Sequence, residues 1–343
     1  MSKNIYVVHE YGAPSHYYAL DSLATANGYN IYYRELWRLK NVVKHPKRWV
    51  KFLINICFLC LISYKPKCKI VLCVAPFNNR LPKLMKKMQK HEVYYHTSYT
   101  CWDGTYMQYE PKSQEIVDCW KYFIGTFVRH IFVVSEKTKI ELITNRYSDA
   151  TRISVVNHSY CETIKTSNYK KKENTFIFVG RLTENKGIRE LLYVFERQKD
   201  ASLTIVGKGP LKCLVEQYAK KCENITYLGY INGLNNLIPL YQKHCFLVLN
   251  SKRTAQWEEL FGIMLIEGMA CGCVPIAVRH SGPKEIISDG VEGFLYEEGA
   301  LDMCVCHGIE LTDEQYLQYR RHSMKKGESF QCEKIKERWN KIL

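Results

Sequence analysis

The chain has 343 residues, 46% of them hydrophobic, and no low-complexity tract, which excludes a disordered or fibrous protein and suits two domains that each bury a core. Its formal net charge is +15, and its fifteen cysteines follow a start, Lys3-Asn4-Ile5-Tyr6-Val7-Val8, that reads as a strand rather than a secretory leader. Mostly free thiols in a reducing compartment are expected. The close pairs Cys57/Cys60, Cys271/Cys273 and Cys304/Cys306 lack a partner pair or a histidine at zinc-site spacing, so they read as core thiols and no metal site is expected.

Strand 3–9 runs through Gly12 and Pro14 into a helix that Asn27-Gly28 closes, and Ile31-Tyr32-Tyr33 opens the next strand. In such a βαβ opening the first turn lies where ligands meet an open sheet, so Gly12 is a candidate for close ligand approach; a plain turn glycine is an equal reading. The segment 34–90 carries fifteen basic residues against Glu35 alone, a surface that attracts anionic lipid or nucleic acid. Within it lies the apolar run 49–62, shorter than the roughly 20 residues that cross a bilayer. It reads either as a core helix or as an interfacial helix with basic flanks, extended by Lys83, Lys86, Lys87 and Lys90. Strand 69–75 follows. Val93-Tyr94-Tyr95 then ends at His96, which either faces the ligand crevice or is a satisfied structural histidine. A helix around 112–128, strand 131–134, a helix capped by Ser135 and strand 152–156 complete a domain at 1–160. The polar, lysine-rich segment 161–174 reads as a linker.

The second domain, 175–329, opens with strand 175–179 and the loop Gly180-Arg181-Leu182-Thr183-Glu184-Asn185-Lys186-Gly187. Two cations flanked by glycines suit a diphosphate. Strand 202–206 runs into Gly207-Lys208-Gly209, strand 225–228 into Gly229-Tyr230, and strand 245–249 into Asn250-Ser251. A helix is predicted from near Phe261 to Gly272, before strand 274–278. Glu259 sits just before that helix and Glu267 about two turns in. Alone, the two glutamates read as surface charges. Beside Arg181, Lys186 and the free amides of a helix start, at the carboxyl ends of a doubly wound sheet, they read as hydroxyl acceptors for a ligand that also carries phosphate. A nucleotide sugar is such a ligand.

Gly180-Arg181-Leu182 with Lys186-Gly187, then Glu259-x-Phe261-Gly262 and Glu267, then Ala270-Cys271-Gly272, Ser281-Gly282-Pro283-x-Glu285 and Asp289-Gly290-x-x-Gly293-Phe294, resemble retaining glycosyltransferase family 4. The resemblance spans roughly 175–298 and continues more weakly over 1–160 through Gly12, His96 and Val134-Ser135-Glu136. It implies an α/β protein of GT-B fold, two doubly wound Rossmann-like domains facing across a cleft, with 330–343 as a last helix returning to the N-terminal domain. It also implies the site. Arg181, Lys186, Gly12 and the main chain of Phe261, Gly262 and Ile263 would hold the donor diphosphate; Glu267 would hold the ribose and Tyr230 would lie near the base. Glu259 and His96 would contact the transferred sugar. The family works without a metal or cofactor, using a UDP- or GDP-linked sugar as substrate. The chain departs from the pattern at Gly12-Ala13-Pro14 in place of a double glycine, at Lys208 in place of an acid, and at Ser281 in place of a glycine.

The expected function is thus a retaining, metal-independent hexosyltransferase that acts on a glycan, lipid-linked acceptor in surface polysaccharide biosynthesis. It would be cytoplasmic and peripheral on the inner face of the membrane, held through the basic 34–90 region. A non-catalytic nucleotide-sugar-binding GT-B protein and a GT-B sugar-nucleotide epimerase are the alternatives. A glycosidase would need carboxylates on opposite sides of the scissile bond, and no nucleic-acid motif accompanies the basic patch.

Overall fold

The computed structural model describes residues 3–10, 13–36, 49–106, 110–166, 170–254 and 257–343. The chain divides into two units, the first of 1–159 with 332–343 and the second of 160–331. Gly12 and the basic run Lys44-His45-Pro46-Lys47-Arg48 lie outside the described residues.

In the first unit six parallel strands form one sheet: β1 (Asn4–His9), β2 (Asn30–Glu35), β3 (Lys69–Cys73), β4 (Glu92–Thr97), β5 (Ile131–Val133) and β6 (Ile153–Val155), in the order β2-β1-β3-β4-β5-β6. β1 pairs Val7 with Tyr33 on one side and Val71 on the other. It is covered on both faces, which is why it reads as an unbroken apolar run. Ile5 and Val7 pack with helix α1 (Tyr18–Ala26) and with Ile335, Trp339 and Ile342, while Tyr6 and Val8 face Phe58, Ile70 and Leu72. Ser135 accepts a hydrogen bond from the Thr138 amide at 3.2 Å and caps the following helix as expected.

The apolar run near residue 50 is a helix, α2 (Trp49–Leu61), but only Phe52, Asn55 and Phe58 are buried. Trp49, Val50, Leu53, Ile54, Ile56 and Leu61 are exposed, so the helix packs by one face, where Phe58 meets Tyr6 at 4.8 Å, and presents apolar side chains on the other. Among the described residues no helix is long and apolar enough to cross a membrane.

The second unit repeats the plan with β7 (Thr175–Val179), β8 (Ser202–Val206), β9 (Ile225–Tyr227), β10 (Phe246–Leu249), β11 (Val274–Val278) and β12 (Phe294–Tyr296), all parallel. Their order, β9-β8-β7-β10-β11-β12, is that of a dinucleotide-binding sheet, in which the order reverses between β7 and β10 and ligands gather at that switch point. Helices α3 (Ile188–Arg197), α4 (Ile263–Ala270) and α5 (Asp313–Glu328) flank it. α4 begins two residues later than predicted. Gly262, with φ 92°, stands in the left-handed region as its N-cap, so Phe261 belongs to the preceding turn. Gly272 does end this segment with φ 93°, and a side chain there would meet the buried Arg320 guanidinium, which donates to the Gly272 carbonyl. Residues 160–166 and 170–174 belong to this unit, with the Lys170 amine donating to the Gln242 carbonyl at 3.0 Å and the Lys172 amine to the Ile309 carbonyl at 2.6 Å.

Thirteen cysteines are free thiols, whereas Cys161 and Cys332 are disulfide-bonded. Neither belongs to the close pairs conspicuous in the sequence. Among the described residues, no group of three or more His, Cys, Asp or Glu side chains is arranged to hold a metal ion.

Candidate active site

Three glycine-bearing loops meet at the carboxyl ends of β7, β8 and β10. A Cβ on Gly207 would fall 1.8 Å from the Gly180 carbonyl, and one on Gly209 would fall 2.4 Å from that of Leu182, so the turns after β7 and β8 lie back to back. The Leu182 amide donates to the Lys208 carbonyl at 3.0 Å across this contact. Gly187, at φ 64°, abuts the Asn250 carbonyl and starts α3. Glycine is required at these positions because backbone meets backbone. Asn250 locks the third loop in place: its amide donates to the Gly187 carbonyl at 3.0 Å, and its side-chain oxygen accepts from the Tyr296 hydroxyl at 2.9 Å.

On this base the cations and carboxylates take distinct places. The Lys186 amine bonds the Glu259 carboxylate, and the Ser251 hydroxyl donates to the same oxygen at 2.9 Å. The Trp257 ring covers the Lys186 amine at 4.8 Å, a cation–π contact. Lys186 and Glu259 are 14% and 12% exposed, shielded enough for the pair to be firm yet open on one side. Arg181 differs. It is exposed, and no acidic partner meets its guanidinium among the described residues. Phe261 is buried edge-on against Phe330, and Gly262-Ile263 opens the first turn of α4, in which the Leu265 amide donates to the Gly262 carbonyl at 2.9 Å while the amides ahead of it precede the helical ladder.

Glu267 lies on α4, where the Tyr241 hydroxyl donates to it at 3.3 Å. Burial pushes its carboxyl up to about 7; the Tyr241 bond opposes this, and the like charge of Glu162 adds to it. Tyr230 stands exposed after β9, and the Lys208 amine sits 3.7 Å from its ring centroid. Lys208, which replaces the acid usual at its position, therefore has a partner: an aromatic face beside the glycine turn.

His96 is in β4 of the first unit. Its Nδ1 lies 3.1 Å from the Tyr17 hydroxyl, and its ring packs at 5.3 Å from Trp339 and 6.3 Å from His158. His158 in turn packs against His16, ring centroids 4.1 Å apart and planes tilted by 34°. Burial, seconded by the charge of His16, pushes the His96 imidazole down to about 3, so it is neutral at physiological pH. Burial holds His16 down at about 4 and His158 well below its ordinary value.

The structure thus joins Lys186 to Glu259 directly and sets Phe261, Gly262, Ile263 and Glu267 on the turn and helix that follow. Arg181 shares the Lys186 loop without touching the carboxylates, and Tyr230 keeps company with Lys208. The sequence reading missed Ser251, Trp257, the histidine cluster and the partner of Lys208. A tryptophan two residues before Glu259 was the one available hint, and it carried no spacing signal.

The profile of the family described as Glycosyl transferases group 1 matches residues 161–328. N-acetyl-alpha-D-glucosaminyl L-malate synthase of Bacillus anthracis is 28% identical over 182 residues, 50% of this chain and 45% of that protein. Phosphatidyl-myo-inositol mannosyltransferase of Mycobacterium tuberculosis is 28% identical over 142 residues, 40% of this chain and 36% of that protein. The matched stretch therefore spans less than half of either relative's length. Among solved structures, HepE of Anabaena in complex with UDP and glucose superposes with a TM-score of 0.68 at 14% identity, covering 98% of each chain. The chain is accordingly a two-domain, Rossmann-like protein of GT-B fold whose second unit matches the glycosyl transferases group 1 family.

Proposed function

We propose that this chain transfers a sugar from a nucleoside-diphosphate donor to a glycan acceptor, as a retaining, metal-independent glycosyltransferase of family 4. The observation that carries the reading is the pairing of Lys186 with Glu259 just before α4, on a loop shared with the exposed Arg181, which meets no acidic partner among the described residues. Departure of the diphosphate gathers negative charge on phosphate. Lys186, held by Glu259, and the first amides of α4 are preorganised donors for that charge, and the exposed Arg181 guanidinium is free to turn to it. Glu259, shared between Lys186 and Ser251, is suited to hydroxyls of the transferred sugar, and Glu267 to those of the ribose. In the proposed step the bond from the anomeric carbon to phosphate oxygen breaks, the acceptor oxygen bonds that carbon on the same face, and the acceptor proton passes to the departing phosphate. Tyr230 with Lys208 is assigned to the base. The UDP held by HepE supports a uridine nucleotide.

The test is incubation of the purified chain with UDP-glucose, UDP-galactose, UDP-N-acetylglucosamine and GDP-mannose, following nucleotide release and, by NMR, the anomer formed. We expect release from one of them with the anomeric configuration kept, and at least a hundredfold loss in Lys186→Ala, in the range for removing one transition-state donor. Binding without release would favour a non-catalytic nucleotide-sugar-binding protein.

We further propose a lipid-linked acceptor in surface polysaccharide assembly, met at the inner face of the membrane. Helix α2 supports this: Val50 is 69% and Leu53 53% exposed on a face that also carries Trp49, Ile54 and Ile56, within a strongly basic segment. Such a helix lies in the headgroup boundary and favours anionic lipid. The mycobacterial relative, by its name, uses a lipid acceptor. Flotation with vesicles of phosphatidylglycerol should recover most of the protein and vesicles of phosphatidylcholine little. Leu53→Asp with Ile54→Asp should abolish recovery, and binding indifferent to lipid charge would contradict the assignment.

A further inference from the structure

The turn that carries Glu259 is short, precedes the first residue of α4, and has no secondary structure of its own. What holds it is a second turn, between β11 and the helix Ser281–Ile286. The Gly282 amide donates to the Glu259 carbonyl at 3.0 Å, and a Cβ on Gly282 would lie 2.2 Å from the Phe261 nitrogen, so the two turns are in backbone contact. The Ser281 hydroxyl donates to Glu258 at 2.8 Å, and Arg253 meets the same carboxylate at 3.2 Å. Between these lies His280, 1% exposed. Its Nδ1 is 3.2 Å from the Glu259 amide and its Nε2 is 2.8 Å from Glu298 Oε1.

The two contacts fix the ring's proton. The Glu259 amide is a donor, so Nδ1 accepts and carries no hydrogen; the hydrogen is on Nε2 and is donated to Glu298. Glu298 is itself anchored by the Arg253 amide at 2.9 Å, which ties it to the loop leading into Glu259. Burial works to raise the Glu298 carboxyl, but the bonds from His280 and the Arg253 amide hold it below its ordinary value, so it is a charged acceptor. Removing either contact frees the ring to turn and leaves a buried amide donor without its acceptor.

We propose that His280, oriented by Glu298, is a positioning residue that sets the main chain of Glu259, and with it the direction of the carboxylate shared with Lys186. The inference rests on the donor-site reading above. It assigns a role to a residue outside the motifs of the sequence, 21 positions after the glutamate it positions. Displacement of a reacting group by about 1 Å lowers rates about a hundredfold while leaving remote binding contacts in place.

The experiment compares His280→Phe, which keeps the ring and removes both polar contacts, with His280→Asn, whose amide oxygen takes the place of Nδ1. Glu298→Leu is the third variant and acts at a partly exposed position. Each full chain is titrated with UDP by calorimetry and assayed for UDP release from UDP-glucose, UDP-galactose and UDP-N-acetylglucosamine. We expect His280→Phe to bind UDP within threefold of the wild type but to lose about a hundredfold in turnover. Glu298→Leu should lose about tenfold, and His280→Asn should recover at least tenfold over His280→Phe. A merely structural histidine would lower stability and UDP affinity together, with no recovery in the asparagine variant. Wild-type turnover in both His280→Phe and Glu298→Leu, or equal losses in the phenylalanine and asparagine variants, would overturn the inference alone. A wild-type protein that neither binds nor cleaves these nucleotides would overturn the donor-site reading, and this inference with it.

Discussion

Glu267→Gln is expected to lose donor affinity and gain stability at once. The affinity effect follows from chemistry: an ionised carboxylate accepts from two ribose hydroxyls, and hydrogen bonds to a charged group contribute about 1.5–3 kcal/mol. Loss of that advantage should weaken UDP-glucose binding by roughly 50-fold. The stability effect follows from linkage. Folding raises this carboxyl from 4.5 to about 7, so the folded unit holds the proton more tightly than the unfolded chain does. That contribution is fully present below about pH 4.5 and is lost as pH rises through 7. At pH 8 the wild type carries a buried charge that the amide avoids, a gain for the variant of about 3 kcal/mol. Thermal melts of the two proteins should differ by roughly 5 °C or more at pH 8, the second unit being the one that shifts, and should coincide near pH 4.5. Wild-type affinity for UDP-glucose should also decline below pH 7 as the carboxyl protonates, and the glutamine variant should lack that decline. A variant that binds UDP-glucose as the wild type does would remove Glu267 from the site.

Acid should act on the first unit in the opposite sense. His16 and His96 keep neutral rings in the fold, held down to about 4 and about 3 by burial, whereas in the unfolded chain they take protons near 6.5. Their depressed values mean that stability is full above 6.5 and is lost as pH falls toward 4. At pH 5 the loss is about 2 kcal/mol for each, a large part of the 5–15 kcal/mol typical of a domain. His158, packed against His16, adds to it in the same direction. Calorimetric scans from pH 7.5 to 5 should show the first unit melting progressively earlier while the second holds or gains. His96→Gln should flatten the pH dependence of the first transition. Transitions that moved together with pH would contradict this division.

How far the sequence reveals these features depends on which forces set them. Apolar runs between glycine turns mark buried parallel strands, and β7, β8 and β11 lie where their periodicity and bounding turns put them. The start of α4 was misjudged because apolar pattern continues through Phe261, while backbone conformation at Gly262 decides where the helix begins. The apolar run near residue 50 reads as a core helix or an interfacial one; α2 buries Phe52, Asn55 and Phe58 and leaves a row of apolar residues exposed, a division that packing sets and the run alone does not reveal. Side-chain pairing was the least legible. Lys186 and Glu259 were both visible as candidates, but their ion pair spans 73 positions and depends on how two loops stack. His280 and Glu298 gave no signal at all, since a histidine between a strand and a short helix has no pattern until its two nitrogens acquire partners.

The central claim is that Arg181, Lys186, Glu259 and Glu267 form one nucleotide-sugar site on the second unit. Calorimetric titration of UDP and GDP into the full chain and into Arg181→Ala, Lys186→Ala and Glu267→Ala tests it most directly. One UDP should bind per chain, each variant weakening binding at least tenfold, with every variant still folded by circular dichroism. Absence of both UDP and GDP binding in the wild type, or affinities unchanged in all three variants, would contradict the claim.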